Sequence, residues 1–265
     1  MKRYDVTFYI TAKCNMNCFF CLRSEDMVLQ ELPSQTRLDR LNDLISSNPY
    51  QSINFAGGEP LLDLVFLLQA LTLAKEKDSN TEFIVYTNGS LISPEIVSIF
   101  NENKIRVIVS FNSVSGLKSV RNAIRLGGNL NLVGDINNIV DLELSTVIYP
   151  GKKFSQDIQE LSDLFPHAGT RISLDDKSKW DDGHITYIES ELQTLQHLQK
   201  LRIVNIRKYP CHGGCSEILS SGNELVCKST ETMACPTLAK RLVSQQALEH
   251  LLTIATTLTT FGKKP

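Results

Sequence analysis

The sequence predicts an α/β protein, a partial (β/α)6 barrel followed by a small C-terminal domain made of a hairpin and a helix. Three observations carry this. Six short runs rich in Val, Ile, Phe and Tyr alternate with amphipathic, helix-like stretches. Turn-forming, ligand-competent residues follow several of those runs directly. The cysteines fall into two groups, three at 14–21 and four at 211–235, with none between.

The strand-like runs lie at 4–10, 52–55, 82–86, 105–111, 142–149 and 170–174. Helical patterns are clearest at 35–47 and 61–77, and Ser93-Pro94 opens a third over 93–103 as a cap and first-turn proline. Such alternation implies parallel βαβ units with right-handed crossovers. Six strands are too few for a closed eight-stranded barrel and suit an open one, with the chemistry at the C-terminal ends of the strands. The expected division is 1–200 for the barrel and 201–265 for the C-terminal domain.

At 265 residues the chain can bury a substantial core, and 42% hydrophobic with 21% charged residues is ordinary globular composition. A net charge of −2 gives no basic excess to neutralise phosphates, so a nucleic-acid carrier built on bulk charge is not expected. No apolar run reaches the length needed to cross a bilayer. Lys2 and Arg3 precede a stretch broken by Asp5, which does not read as a signal peptide. The expectation is a cytoplasmic protein with no membrane or nucleic-acid partner. Seven cysteines in such a chain point to metal binding or thiol chemistry rather than a disulfide framework.

Cys14, Cys18 and Cys21 form a C-x3-C-x2-C loop directly after the first strand. Three thiolates on one loop can hold three irons of a cubane cluster, whereas most ferredoxin-type clusters take four cysteines. The spacing therefore leaves one iron open. A structural zinc site completed by a distant ligand is the alternative. The second strand ends in Asn54-Phe55-Ala56-Gly57-Gly58-Glu59-Pro60. Its glycines allow close backbone approach to a ligand, Glu59 offers an acceptor for an ammonium group, and Pro60 starts the next helix. Thr87-Asn88-Gly89 follows the third strand and Ser110-Phe111-Asn112-Ser113 the fourth. Each of these turns is unspecific by itself.

The second cysteine group reads Cys211-His-Gly-Gly-Cys215, then Gly222, Cys227 and Cys235-Pro236. The segment 218–226 has the pattern of a hairpin turning at Ser221-Gly222-Asn223, which would return Cys227 beside Cys211 and Cys215. A helix is expected over 238–259. Four clustered thiols suit a metal, either an iron–sulfur cluster or a four-cysteine zinc site, with His212 a possible substitute ligand. After the sixth strand, Asp175, Asp176 and Trp180 lie in a polar loop at the rim where a cationic or peptidic substrate would enter. A solvated connector is the plainer interpretation of that loop.

Taken in order over roughly the first 150 residues, the cysteine loop, Gly57-Gly58-Glu59-Pro60 and Thr87-Asn88-Gly89 resemble the radical S-adenosylmethionine (radical SAM) superfamily. The resemblance implies that Cys14, Cys18 and Cys21 hold a 4Fe–4S cluster whose open iron is chelated by S-adenosylmethionine. It also implies Phe20 beside the adenine, and Gly57, Gly58, Glu59 and Pro60, with Thr87 and Asn88, around the methionyl group. Ser110, Asn112 and Arg121 would serve the ribose or carboxylate, and Thr146 and Val147 the adenine edge. Cys211, Cys227 and Cys235 with Gly222 are similar to the shortened auxiliary-cluster module called a twitch domain. Cys215 is an addition that could be the fourth ligand of a second 4Fe–4S cluster. The longer SPASM module has more cysteines than the chain supplies.

By this resemblance the expected activity is reductive cleavage of S-adenosylmethionine to a 5′-deoxyadenosyl radical that abstracts hydrogen from a substrate. The expected substrate is a ribosomally made peptide or protein, with oxidation of a small molecule as the second reading. No peptide-recognition domain is expected before the first strand, so leader binding would need the rim, the C-terminal region or a separate recognition partner, and an external electron donor is a further expectation. No residue is assigned as a catalytic acid or base.

Overall fold

In the computed structural model, residues 4–18, 21, 31–47, 50–77, 80–111, 132–175, 178–195, 197–198, 201–203, 215–218, 224–227 and the helical positions 246, 249–250 and 253–254 are described. The chain forms two compact units. The first comprises Met1–Val109, Gly127–Asp141 and Gly213–Lys228, the second Ser110–Leu126, Leu142–His212 and Ser229–Pro265.

The first unit is built on parallel strands β1 (Tyr4–Thr11), β2 (Tyr50–Gly57), β3 (Glu82–Thr87) and β4 (Arg106–Ser110), paired in that order. Helix α1 (Ser34–Ser47) connects β1 to β2, a 3-10 turn (Pro60–Asp63) and α2 (Leu64–Lys77) connect β2 to β3, and α3 (Pro94–Glu102) connects β3 to β4. Val6, Phe8 and Ile10 alternate along β1 and are fully buried, while Val107, Ile108 and Val109 are buried in succession, as in a sheet covered on both faces. Ser93 caps α3 by accepting from the Ile96 N–H, with Pro94 in the first turn, as the sequence indicates. Phe66 of α2 lies 6.1 Å from Phe8, and the Arg37 guanidinium sits 4.0 Å over that same Phe66 ring. A short helix, α4 (Leu132–Asn137), completes the helices of this unit among the described residues.

The expected hairpin is present. Strands β8 (Cys215–Ile218) and β9 (Glu224–Cys227) are antiparallel, with Cys215 and Cys227 directly opposite each other. The hairpin begins three residues earlier than the sequence pattern indicates, because β8 also pairs in parallel with β1, from Asp5–Cys215 to Phe8–Ile218. Its turn lies outside the described residues.

The second unit contains the parallel strands β5 (Leu142–Ile148), β6 (Gly169–Leu174) and β7 (Leu201–Ile203), with helices α5 (Ser155–Leu164) and α6 (Asp182–Gln193). Phe154 offers no side-chain cap to α5. Glu191 of α6 substitutes for one, accepting from the Phe154 and Ser155 N–H groups, both at 2.9 Å, which places a carboxylate at a helix N-terminus. Of the helix expected over 238–259, the described positions are helical, and Ile254 joins the core of this unit.

Trp180 is the largest side chain of that core and is 0% exposed. It packs with Phe154, Ile172 and Ile185, and its indole N–H donates to the Asp175 carbonyl at 3.0 Å. Truncating an aromatic side chain in such a site costs about 3–5 kcal/mol. Trp180→Ala is therefore expected to lower the unfolding free energy by that amount in urea titrations. A loss below about 1 kcal/mol would mean the indole is not packed as described.

Candidate functional site

The parallel register brings the C-terminal ends of β1, β2 and β3 side by side, and three turns emerge there. Near that end Thr11 pairs with Gly57, after a register shift between Tyr9 and Thr11. The chain then crosses closely: the Gly58 N–H donates to the Thr11 carbonyl and the Glu59 N–H to the Lys13 carbonyl, both at 2.8 Å. This crossing explains the two glycines. A Cβ at Gly57 would stand 2.2 Å from the Thr11 carbonyl oxygen, and Gly57 has φ +141°; a Cβ at Gly58 would stand 2.1 Å from the Lys13 oxygen. The space that Gly57 and Gly58 leave free is filled by the backbone leading into the cysteine loop.

Glu59 is 0% exposed. Its Oε1 accepts from the Leu61 N–H at 3.0 Å and the Thr87 hydroxyl at 2.8 Å, and its Oε2 from the Asn88 N–H at 2.7 Å. One carboxylate thus caps the 3-10 turn that starts at buried Pro60 and bolts the turn after β2 to the turn after β3. Burial outweighs these hydrogen bonds and pushes the Glu59 carboxyl above its ordinary range.

The turn after β3 in turn holds the cysteine loop. The Asn88 amide donates to Asn15 Oδ1 at 2.8 Å, and Asn15 Nδ2 donates to Ser90 Oγ at 2.8 Å. Asn88 Oδ1 accepts from the Ser90 N–H at 2.9 Å. Cys14 Sγ receives the Met16 N–H at 3.4 Å and lies 3.9 Å from Asn88 Nδ2.

The neck of the loop is closed from a third side. Glu31 Oε2 accepts from the Thr11 hydroxyl at 2.9 Å and the Ala12 N–H at 2.8 Å. Arg37, 3% exposed, pairs with Glu31 at 3.4 Å and donates to the Ile10 carbonyl. Asn15, Glu31, Arg37 and Ser90 are absent from the sequence reading. Their signal is tertiary, since each acts on a residue outside its own turn. Only the position of Glu31 and Arg37 just past the cysteine loop could have hinted at them.

Cys14, Cys18 and Cys21 are not joined in disulfides, and each is partly buried. Burial, and then the neighbouring Cys21 and Cys14, pushes the Cys18 thiol up. The three sulfurs are close enough to repel one another as thiolates, and bound cationic iron reverses that penalty. Among the described residues, no three His, Cys, Asp or Glu side chains are arranged to hold a single metal ion. Cubane ligands each bind a different iron, and three partly buried thiols on one loop are a donor set of the kind such a cluster takes.

The remaining expected residues belong to the second unit or lie outside the described residues. In the second unit Ser110 is exposed, Thr146 is 0% exposed with its hydroxyl donating to the Phe111 carbonyl at 2.6 Å, and Val147 is half-buried. Asp175 is buried and accepts from Ser178 at 2.6 Å. Together with the core position of Trp180, this makes the start of the 175–182 loop a packed corner. Phe20, Asn112, Arg121, Asp176, Cys211 and Cys235 lie outside the described residues, as do the side chains of Cys215 and Cys227.

Residues 8–133 match the family model of the radical SAM superfamily. That match takes in just under half of the chain, and the fold is an open α/β partial barrel. An S-adenosylmethionine-dependent nucleotide dehydratase from Selenomonas ruminantium is 27% identical over 158 residues, 55% of this chain and 56% of that protein. The chain thus spans little more than half the length of that relative. The structure of Streptococcus suis SuiB bound to S-adenosylmethionine aligns with a TM-score of 0.59 at 15% identity, covering 95% of this chain and 66% of that one. The anSMEcpe structure with bound AdoMet and Cp18Cys peptide aligns with a TM-score of 0.54 at 12% identity, covering 98% of this chain and 84% of that one. These two structural likenesses establish the fold. No helix among the described residues is long and apolar enough to cross a membrane.

Replacing Glu59 by Ala leaves two main-chain N–H groups and the Thr87 hydroxyl without their buried acceptor, a loss of roughly 3 kcal/mol or more, to be read in urea titrations. The raised carboxyl also fixes a sign. The folded protein binds this proton more tightly than the unfolded chain, so the contribution of Glu59 is fully present below the ordinary value of 4.5. It declines as pH rises through the raised value. Wild-type stability measured relative to Glu59→Gln should therefore fall as pH rises above about 4.5. A difference independent of pH would remove Glu59 as the titrating group.

Proposed function

We propose that the protein is a radical SAM enzyme, with Cys14, Cys18 and Cys21 holding a 4Fe–4S cluster. The observation that carries this is the hydrogen-bonded unit formed by the cysteine loop, the Gly57–Pro60 turn and the Thr87–Ser90 turn, in the family's order and at one end of the sheet. A bound cluster and S-adenosylmethionine together supply a 5′-deoxyadenosyl radical, which takes a hydrogen atom from the substrate. The chain's own residues orient and shield. The Gly57–Glu59 turn contributes main-chain carbonyls suited to the methionyl ammonium, and the buried Glu59 carboxyl fixes that turn from behind. Thr87 and Asn88 hold that turn in place.

The substrate we propose is a ribosomally made peptide or protein. The likeness to a fold that carries a bound peptide in anSMEcpe supports this reading. A small molecule, a nucleotide among them, is the second reading, favoured by the name of the Selenomonas relative. A second 4Fe–4S cluster on the C-terminal cysteines is part of the proposal. Cys215 and Cys227, directly opposite in one ladder, supply two neighbouring positions for it. An external low-potential donor and a separate peptide-recognition chain complete the expected partners.

Anaerobically reconstituted protein is expected to hold about eight irons, falling to about four in C211A/C227A/C235A, since each cubane holds four. It should release 5′-deoxyadenosine from S-adenosylmethionine under reducing conditions, and C14A/C18A/C21A should not. About four irons in both forms, with zinc in the wild type alone, would make the C-terminal group structural. Wild type without iron or 5′-deoxyadenosine would overturn the proposal. Transfer of deuterium from a labelled peptide into 5′-deoxyadenosine separates the peptide reading from the nucleotide one.

A further inference from the structure

Resting on the assignment of the cysteine loop as a cluster site, we propose that Asn88 is a positioning residue that tunes the cluster through Cys14. Its side-chain amide has one orientation available. Oδ1 accepts the Ser90 N–H at 2.9 Å, so the NH2 group must face the other way, toward Asn15 Oδ1 at 2.8 Å and Cys14 Sγ at 3.9 Å. Asn15 closes the ring by donating to Ser90 Oγ at 2.8 Å. The backbone beneath is equally fixed, because the Asn88 N–H and the Thr87 hydroxyl both end on the buried Glu59 carboxylate. The donor is therefore held by three independent anchors and aimed at a ligand sulfur. With the Met16 N–H at 3.4 Å, two N–H groups face Cys14.

Hydrogen bonds to the sulfurs of an iron–sulfur cluster help set its potential, because they stabilise the more negative, reduced state. In a one-electron reduction by an external donor the cluster gains charge, and the amide dipole of Asn88 offsets part of it. The bracket thus makes the first electron easier to accept. It also ties that ease to the same turn that Glu59 holds.

The test uses the full chain, reconstituted anaerobically, with iron and sulfide counted and the midpoint potential read by dithionite titration followed by electron paramagnetic resonance. Asn88→Leu keeps the shape and the main-chain N–H but removes the amide donor without adding charge. Asn88→Ala serves if Leu is not accommodated. Either is expected to keep the wild-type iron content and to shift the midpoint to more negative potential. Asn15→Ala breaks the ring but leaves the Asn88 donor, and is expected to keep the wild-type potential. An unchanged potential in the Asn88 variants overturns the inference while leaving the cluster assignment intact. An equal negative shift in Asn15→Ala overturns it too, by assigning the effect to loop disorder. A wild-type protein that takes up no iron overturns both the inference and the assignment beneath it.

Discussion

The buried carboxylate of Glu59 is the constraint on which the first unit's site depends. Parallel strands leave their C-terminal turns to find partners of their own, since the ladder's hydrogen bonds end where the strands end. At this end of the sheet the missing partner is one side chain. It takes the main-chain N–H groups of Leu61 and Asn88 and the hydroxyl of Thr87, donors that no strand can satisfy. Burying the charge raises its proton affinity, an energetic cost that three convergent donors offset in part. The arrangement exchanges some stability for a fixed geometry between two turns.

The cysteine loop is then attached from above and below. Backbone donors from Gly58 and Glu59 fix its entry, Glu31 and Arg37 close its neck, and the Asn15–Asn88–Ser90 ring steadies the residue after Cys14. These attachments use backbone, amide and carboxylate groups and leave the three thiols free of disulfides.

Much of this was legible in the sequence, and what was not has a physical reason. All six barrel strands and the first three helices lie where the apolar runs and caps indicate, because each strand buries at least one face and so needs apolar residues in a run or in alternation. The motif turns were legible as well, being local strings. The glycines have a role that the turn alone does not express: they admit the backbone of the cysteine loop, a contact between strands. Trp180 misled for a similar reason. Its polar neighbours suggest a rim, yet its indole finds the Asp175 carbonyl and a full apolar shell, and burial of an aromatic ring outweighs the character of its flanks. The helices at Ser155–Leu164 and Asp182–Gln193 carry many polar residues, which hid their apolar faces.

Arg37 shows how much is committed to the neck of the loop. A guanidinium that is 3% exposed loses most of its hydration, and burial lowers its proton affinity while Glu31 and Asp63 raise it. Its Nε has no hydrogen-bond partner among the described residues. A lysine could supply the charge, but it lacks the planar group that lies over Phe66 while donating to the Ile10 carbonyl and pairing with Glu31. The geometry demands one flat cation that reaches a strand carbonyl, a carboxylate and an aromatic face together. That demand ties helix α1 and helix α2 to the last residues of β1, so the packing of the helical layer and the placement of the cysteine loop are set by the same side chain.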